Sequence, residues 1–159
     1  MKALIVSDTH GRINNLEKVM NQIENIDLLL HLGDLEGDEA RIRALAPCPV
    51  EMVSGNNDFF SNLERDKIIE IGGYKIWMTH GHYYYVGFNT SKIKELAAQR
   101  ACDIVMFGHT HRPLIETKGS VWAINPGSIS FPRQENRKPS YIVMDTSKWG
   151  EDMFELCYL

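Results

Sequence analysis

The chain is poor in cysteine. Cys48, Cys102 and Cys157 are far apart and form no CxxC pair. A disulfide framework and a thiolate metal site are therefore not expected, and the three read as buried thiols in a reducing compartment. Positive charge is not in excess either: 17 Lys and Arg stand against 21 Asp and Glu, a net charge of -4. That argues against broad electrostatic binding to nucleic acid or to anionic membranes and leaves room for a local basic patch. No run approaches the roughly 20 apolar residues of a membrane span. The opening MKALIVSDTHG is too short in apolar residues for a signal-peptide core, so a cytoplasmic location is expected. Repeats, low-complexity stretches and linkers are lacking too, and 159 residues suit one domain, 1–159.

What is present is a succession of short apolar runs. KALIVS (2–7) is unbroken, as in strands covered on both faces. Ile13, Leu16, Val19, Met20 and Ile23 follow at helical spacing. DLLLHL (27–32), a charged helix at 37–45 and PVEMV (49–53) complete a strand-helix-strand-helix-strand pattern, which predicts a parallel sheet with crossovers. The second half is richer in strands: KIIEI and YKIWMT flank the turn Gly72-Gly73. A helix at 91–101 precedes DIVMF, SVWAI, SYIVMD and MFELCY. Three helices cannot cover one sheet of nine strands. The fold class expected is α/β, with two packed, largely mixed sheets and helices on their outer faces.

The polar residues that carry chemistry sit where these runs end. Asp8 and His10 follow the first strand, Asp34 the second and Asn56 the third. His80 and His82 follow YKIWMT, and His109 and His111 follow DIVMF. Ligands in open α/β sheets bind beyond the carboxyl ends of the strands, so five short loops are expected to meet at one place. Two carboxylates, up to five imidazoles and an amide are hard-to-borderline donors without sulfur. That set suits Mn, Fe, Zn, Ni or Co. An isolated DxH or HxH carries little information; all of them at strand ends in one chain carry much more.

In order, SDTHG, HLGD, SGNND, THGH and FGHTHRP resemble the motif series of the calcineurin-like metallophosphoesterases. The resemblance is to their small bacterial and archaeal phosphodiesterases, and NPGSISFPR extends it over nearly the whole chain. It implies an αββα sandwich, in line with the two-sheet reading, and a centre of two divalent metal ions. Asp8, His10, Asp34 and His111 would hold one ion, and Asp34, Asn56, His80 and His109 the other, with Asp34 shared. Mn is the metal expected first. Such a pair acidifies a shared water that attacks phosphorus in line with the leaving oxygen. Two divalent ions, two carboxylates and a hydroxide leave the site near +1, so it still attracts an anionic phosphate. Asn56 as an amide preserves that charge and offers an NH2 to substrate. Asn56 and His82 are thus the candidate catalytic residues.

Other residues read less sharply. His31 reads as a buried partner of the site, and Asp58 as a carboxylate that orients a neighbouring loop or imidazole. His82 fits either a phosphate contact or a structural role. Arg112 fits phosphate neutralisation or a solvated loop charge, and Arg133, Arg137 and Lys138 a solvated loop. Tyr83, Tyr84 and Tyr85 suit a substrate wall or a contact in a homo-oligomer. Packing of one with exposure of the others serves equally well. Asn57 departs from the many superfamily members that carry a proton-donating His there, and an amide supplies no proton at neutral pH. The function expected is a phosphodiesterase for a small phosphodiester. The rival readings are a phosphomonoesterase and a non-catalytic metal-binding scaffold resembling the retromer subunit of this fold.

Overall fold

The first strand, β1 (Lys2–Val6), is apolar at every position after Lys2, and all four of those residues are buried. The computed structural model, which describes residues 1–159, pairs it in parallel with β2 (Leu28–His31), and β2 in parallel with β3 (Val50–Met52). Helices α1 (Asn14–Gln22) and α2 (Glu39–Leu45) make the crossovers. β9 (Ser140–Asp145) and β10 (Phe154–Tyr158) add antiparallel strands on the other side, giving the order β10-β9-β1-β2-β3.

The second sheet begins with the hairpin of β4 (Asp66–Ile71) and β5 (Tyr74–Thr79). Its turn residues Gly72 and Gly73 both have positive φ, which glycine adopts without a steric cost. After α3 (Ser91–Gln99), β6 (Ile104–Met106) and β8 (Trp122–Pro126) run parallel to β5. A tenth strand, β7 (Pro113–Glu116), closes the order β4-β5-β6-β8-β7. The sequence expectation of nine strands misses it. Four residues headed by Pro read as loop, yet Pro is tolerated on an edge strand because its missing N–H is not needed there.

Alternation along the strands builds three apolar layers. Ala3, Ile5, Leu30 and Leu32 of one sheet meet Ile76, Met78, Ile104, Met106 and Ile124 of the other in a fully buried layer between the sheets. Leu4, Val6 and Leu29 point outward, onto Leu16 and Val19 of α1 and Ile42 of α2. Trp77, Val105 and Ala123 point outward onto Ile93 and Ala97 of α3. The two mixed sheets with three flanking helices are those the sequence predicts. No helix is long and apolar enough to cross a membrane. Of the thiols, Cys102 is buried as expected, whereas Cys48 and Cys157 are only half-buried.

The layer between the sheets carries the fold's stability. Leu30→Ala should cost about 2–5 kcal/mol, the range for emptying a closed core site. Ile68→Ala on the exposed edge strand β4 should stay within roughly 0.5 kcal/mol. Urea unfolding of both variants measures this, and equal effects would refute the layer assignment.

Candidate metal centre

The loops after β1, β2 and β3 open on the same edge of the sandwich as those after β5 and β6, because these strands run parallel within their sheets. Backbone bonds knit the loops together. Asp8 N–H donates to the Gly33 carbonyl (3.0 Å), His10 N–H to that of Asp34 (2.9 Å), and Gly108 N–H to that of His80 (3.1 Å). His109 N–H donates to Asp8 Oδ2 at 3.1 Å, joining one sheet to the other. The glycines of SGNND and FGHTH permit this approach: a methyl on Gly55 would overlap Asp34 Oδ1, and one on Gly108 would overlap Ser7 Oγ. Asp8, His10, Asp34, His109 and His111 all have φ between 47° and 65°. Such left-handed backbone costs about 1 kcal/mol or more per residue and persists only where the surroundings enforce it.

The residues brought together fall into two groups. Asp8, His10 and His111 have donor atoms within 4.8 Å of one another, and so do Asp8, Asp34 and His80. His10 Nε2 lies 3.2 Å from His111 Nε2 and 3.6 Å from Asp34 Oδ2. His80 Nε2 lies 3.4 Å from Asp34 Oδ2 and 3.1 Å from Asn56 Oδ1. His109 Nδ1 lies 3.0 Å from the same Asn56 oxygen. Asn56 and His109 therefore border the Asp34–His80 side of the cluster. Asp8 and Asp34 are almost wholly buried.

These residues fit a metal on two counts. Asp8 Oδ1 is buried and has no hydrogen-bond partner. It faces the Nε2 atoms of His111, His10 and His80 at 3.1, 3.8 and 3.9 Å. A buried carboxylate oxygen left without a donor is costly unless a cation meets it. Furthermore, three of the rings have their Nδ1 committed: His80 to the Leu32 carbonyl (2.7 Å), His111 to the Phe131 carbonyl (2.6 Å) and His10 to Glu36 Oε1 (2.6 Å). Each Nδ1–H donates outward, leaving Nε2 to face the cluster. Metal-binding histidines are oriented in this way.

Charge sets the protonation states. Burial would raise the Asp34 carboxyl, but His80 and the two donors of Asn57 outweigh it and hold Asp34 well below the carboxylate range. Asp8 is also lowered: burial opposes ionisation, and His111 and His80 overcome it. Burial would lower His80, but Asp34 and Asp8 outweigh it and raise the ring above its usual value. His82 is lowered to about 4, by burial and then by the neighbouring His80 and His109, so its ring is neutral at pH 7. His31 is lowered to about 4, chiefly by burial. It accepts from Gly33 N–H at Nδ1 (3.3 Å) and meets Thr9 Oγ1 at Nε2 (3.1 Å), as a buried partner of the site.

Asp58 orients a loop, as the sequence suggests, and does so through four bonds. Its carboxylate accepts from the N–H groups of Asp34, Leu35, Glu36 and Gly55 at 2.7–2.8 Å. Asn57 has a role the sequence reading missed. Its backbone N–H donates to Asp34 Oδ1 (2.9 Å) and its side-chain amide to Asp34 Oδ2 (2.7 Å). Glu36 was missed as well, although a carboxylate two residues after Asp34 was a signal that could have found it. The Leu32 and Phe131 carbonyls leave no sequence signal, since every residue has one. His82 packs against Tyr83 (centroids 4.0 Å apart) and stands 5.5 Å from His80. In the tyrosine triplet, Tyr84 packs edge-on against Trp77 (5.1 Å), while Tyr83 and Tyr85 are exposed. Arg112 lines a groove of about 580 Å³ that starts at His109.

A buried two-carboxylate, multi-histidine cluster at the edge of a two-sheet sandwich is a candidate centre for divalent metal. Residues 1–149 match the model of the calcineurin-like phosphoesterase superfamily domain, and the chain belongs to that superfamily. It is 35% identical to the probable metallophosphoesterase YsnB of Bacillus subtilis, over 91% of this chain and 83% of that one. It is 27% identical to the phosphodiesterase YfcE of Escherichia coli, over 91% and 88% of the two chains. Among solved structures, zinc-bound wild-type Vps29 of Entamoeba histolytica superposes with a TM-score of 0.76 and 27% identity, covering 91% of this chain and 86% of that one.

The raised His80 ring makes metal uptake proton-linked. Without metal, Asp34 and Asp8 favour the protonated His80 ring, and a ligand nitrogen cannot keep that proton, so metal binding should release protons. Affinity should then fall as pH drops. Calorimetric titration in buffers of different ionisation enthalpy measures the protons released. Metal binding to the parent protein with no proton release near pH 7, or with release unchanged in His80→Ala, would refute the assignment.

Proposed function

We propose that this protein is a metal-dependent phosphodiesterase acting on a small phosphodiester. The observation that carries this reading is Asp8 Oδ1, buried and without a donor while three Nε2 atoms face it. Asp8, His10, Asp34 and His111 would hold one divalent ion, and Asp34, Asn56, His80 and His109 a second, with Asp34 common to both. The oxygen and nitrogen donors suit Mn, Ni, Zn, Fe or Co; Mn is put first on the family resemblance and not on affinity, which ranks it lowest. When bound, such a pair supplies Lewis-acid activation of water and neutralises charge on the phosphoryl oxygens.

The chain's own groups do the rest. Asn56 turns its oxygen toward His80 and His109, which leaves its amide N–H groups for a phosphoryl oxygen. His82 is neutral at pH 7 and serves as a hydrogen-bond donor rather than an acid. Asn57 is engaged with Asp34. None of these three delivers a proton to the leaving oxygen, so a good leaving group departs unaided and a poor one does not. A relative named as a phosphodiesterase, YfcE, supports the diester over the monoester. The likeness to zinc-bound Vps29 favours a second reading, a metal-binding scaffold without turnover; hydrolysis by metal-loaded protein decides between them.

Two measurements test the proposal. Chelation should abolish hydrolysis of bis(4-nitrophenyl) phosphate and Mn should restore it. Asp34→Ala should lose more than the roughly 10–100-fold typical of removing an orienting partner, the loss expected of Glu36→Gln. Full activity in chelated protein would refute metal dependence. Across aryl and alkyl diesters, the rate should fall steeply as leaving-group pKa rises, because general-acid help worth about 10²–10⁴-fold is missing. A shallow dependence that disappears in His82→Ala would instead make His82 the acid.

A further inference from the structure

A groove of about 710 Å³ leads away from His10 and His111 and is walled by Arg12, Arg133 and Arg137. In sequence Arg133 and Arg137 read as solvated loop charges; the fold brings them to the mouth of the site. None of the three guanidinium groups forms a salt bridge or a hydrogen bond within the chain, whereas four of the lysines do. The one carboxylate in the groove, Glu36, is taken by His10 Nδ1 at 2.6 Å. Arg12 is not free to wander: its guanidinium lies 4.8 Å from the Phe131 ring centre, a cation–π contact, and its carbonyl accepts from Ser130 Oγ at 2.7 Å. Arg133 is tied to the ligand loop through its N–H to the His111 carbonyl (3.0 Å). It also borders the second groove that starts at His109, so it stands between the two exits.

Three exposed guanidinium groups without a partner inside the chain, gathered in one groove beside the candidate metal cluster of a chain of net charge -4, form a local positive patch suited to an anion. The scissile phosphoryl group belongs among the ring nitrogens, and the groove beyond is in the size range of a ligand site rather than of one phosphate. We propose that this groove is a second anion subsite, and that the preferred substrate is a diester with a further phosphate about one nucleoside away from the scissile one. Guanidinium groups suit phosphate because their paired N–H donors match two of its oxygens. This inference rests on the phosphodiesterase reading and names its substrate class.

The test compares two diesters that differ only in a phosphate: thymidine 5′-(4-nitrophenyl phosphate) with and without a 3′-phosphate. The Mn-loaded parent should favour the 3′-phosphate form by about tenfold or more in kcat/KM, mostly through KM, and less at high salt. The preference should collapse in Arg133→Ala/Arg137→Ala and persist in part in Arg133→Lys. Lys18→Ala, a loss of one positive charge on α1 outside the groove, should leave both activity and preference intact. In parallel, calorimetry on the chelated protein should show thymidine 3′,5′-bisphosphate binding that the double variant weakens. Diester hydrolysis without any preference in the parent would overturn the subsite and leave the phosphodiesterase reading standing. Arginine-dependent bisphosphate binding without hydrolysis of either diester would support the subsite and overturn the phosphodiesterase. A preference unchanged in the double variant would place the phosphate elsewhere and refute the assignment.

Discussion

Two carboxylates buried side by side dominate this molecule. Asp8 is fully enclosed and Asp34 nearly so, and both are held ionised. Taking a charge out of water costs several kcal/mol even after relaxation, and two like charges add repulsion. The surrounding structure answers that cost. Histidines 10, 80 and 111 crowd the pair, Asn57 gives Asp34 two donors and His109 N–H reaches Asp8. Even so, Asp8 Oδ1 lacks a donor, and that deficit marks the cluster as a candidate cation site rather than a set of satisfied ion pairs.

The unusual backbone of the loops follows from the same constraint. Five polar side chains can converge only if the chain turns sharply right after each strand. The left-handed φ values at Asp8, His10, Asp34, His109 and His111 are those turns. Asp58 holds two of the loops against that strain. By accepting four backbone N–H bonds it fixes the loop after β2 onto the loop after β3. The bond from His80 Nδ1 to the Leu32 carbonyl then locks the second sheet to the first at the site itself. The apolar layer between the sheets sets their spacing, and these few polar bonds set their register where the chemistry is.

This explains what the sequence could disclose. A candidate metal ligand must be a particular residue type at a strand end, so chemistry and spacing together pick out Asp8, His10, Asp34, Asn56, His80, His109 and His111, and the fold brings these side chains to one place. Both sheets were legible too, because long apolar runs alternate or persist in ways only strands do. β7 was not, since four half-buried residues after a Pro carry almost no pattern. The orienting groups were largely hidden for a different reason. Glu36 matters because of where His10 lies, and the Leu32 and Phe131 carbonyls have no identity in sequence at all. Arg133 and Arg137 lie more than 120 residues from Arg12 and His10, and only the fold brings them around one groove.

Asn57 shows how sequence can disclose what a side chain lacks and stay silent on what it touches. The amide cannot donate a proton to a leaving oxygen, as its chemistry demands. In the structure it is not a vacant acid position, because its N–H groups grip both oxygens of Asp34. An imidazole at 57 would have one side-chain N–H when neutral and would have to turn it either to Asp34 or to the substrate. The amide removes that conflict and fixes the carboxylate common to both proposed ligand sets. Position 57 therefore trades proton delivery for a better-held Asp34. In the proposed hydrolysis, any proton for the leaving oxygen would then come from water, which the open grooves on either side of the site admit.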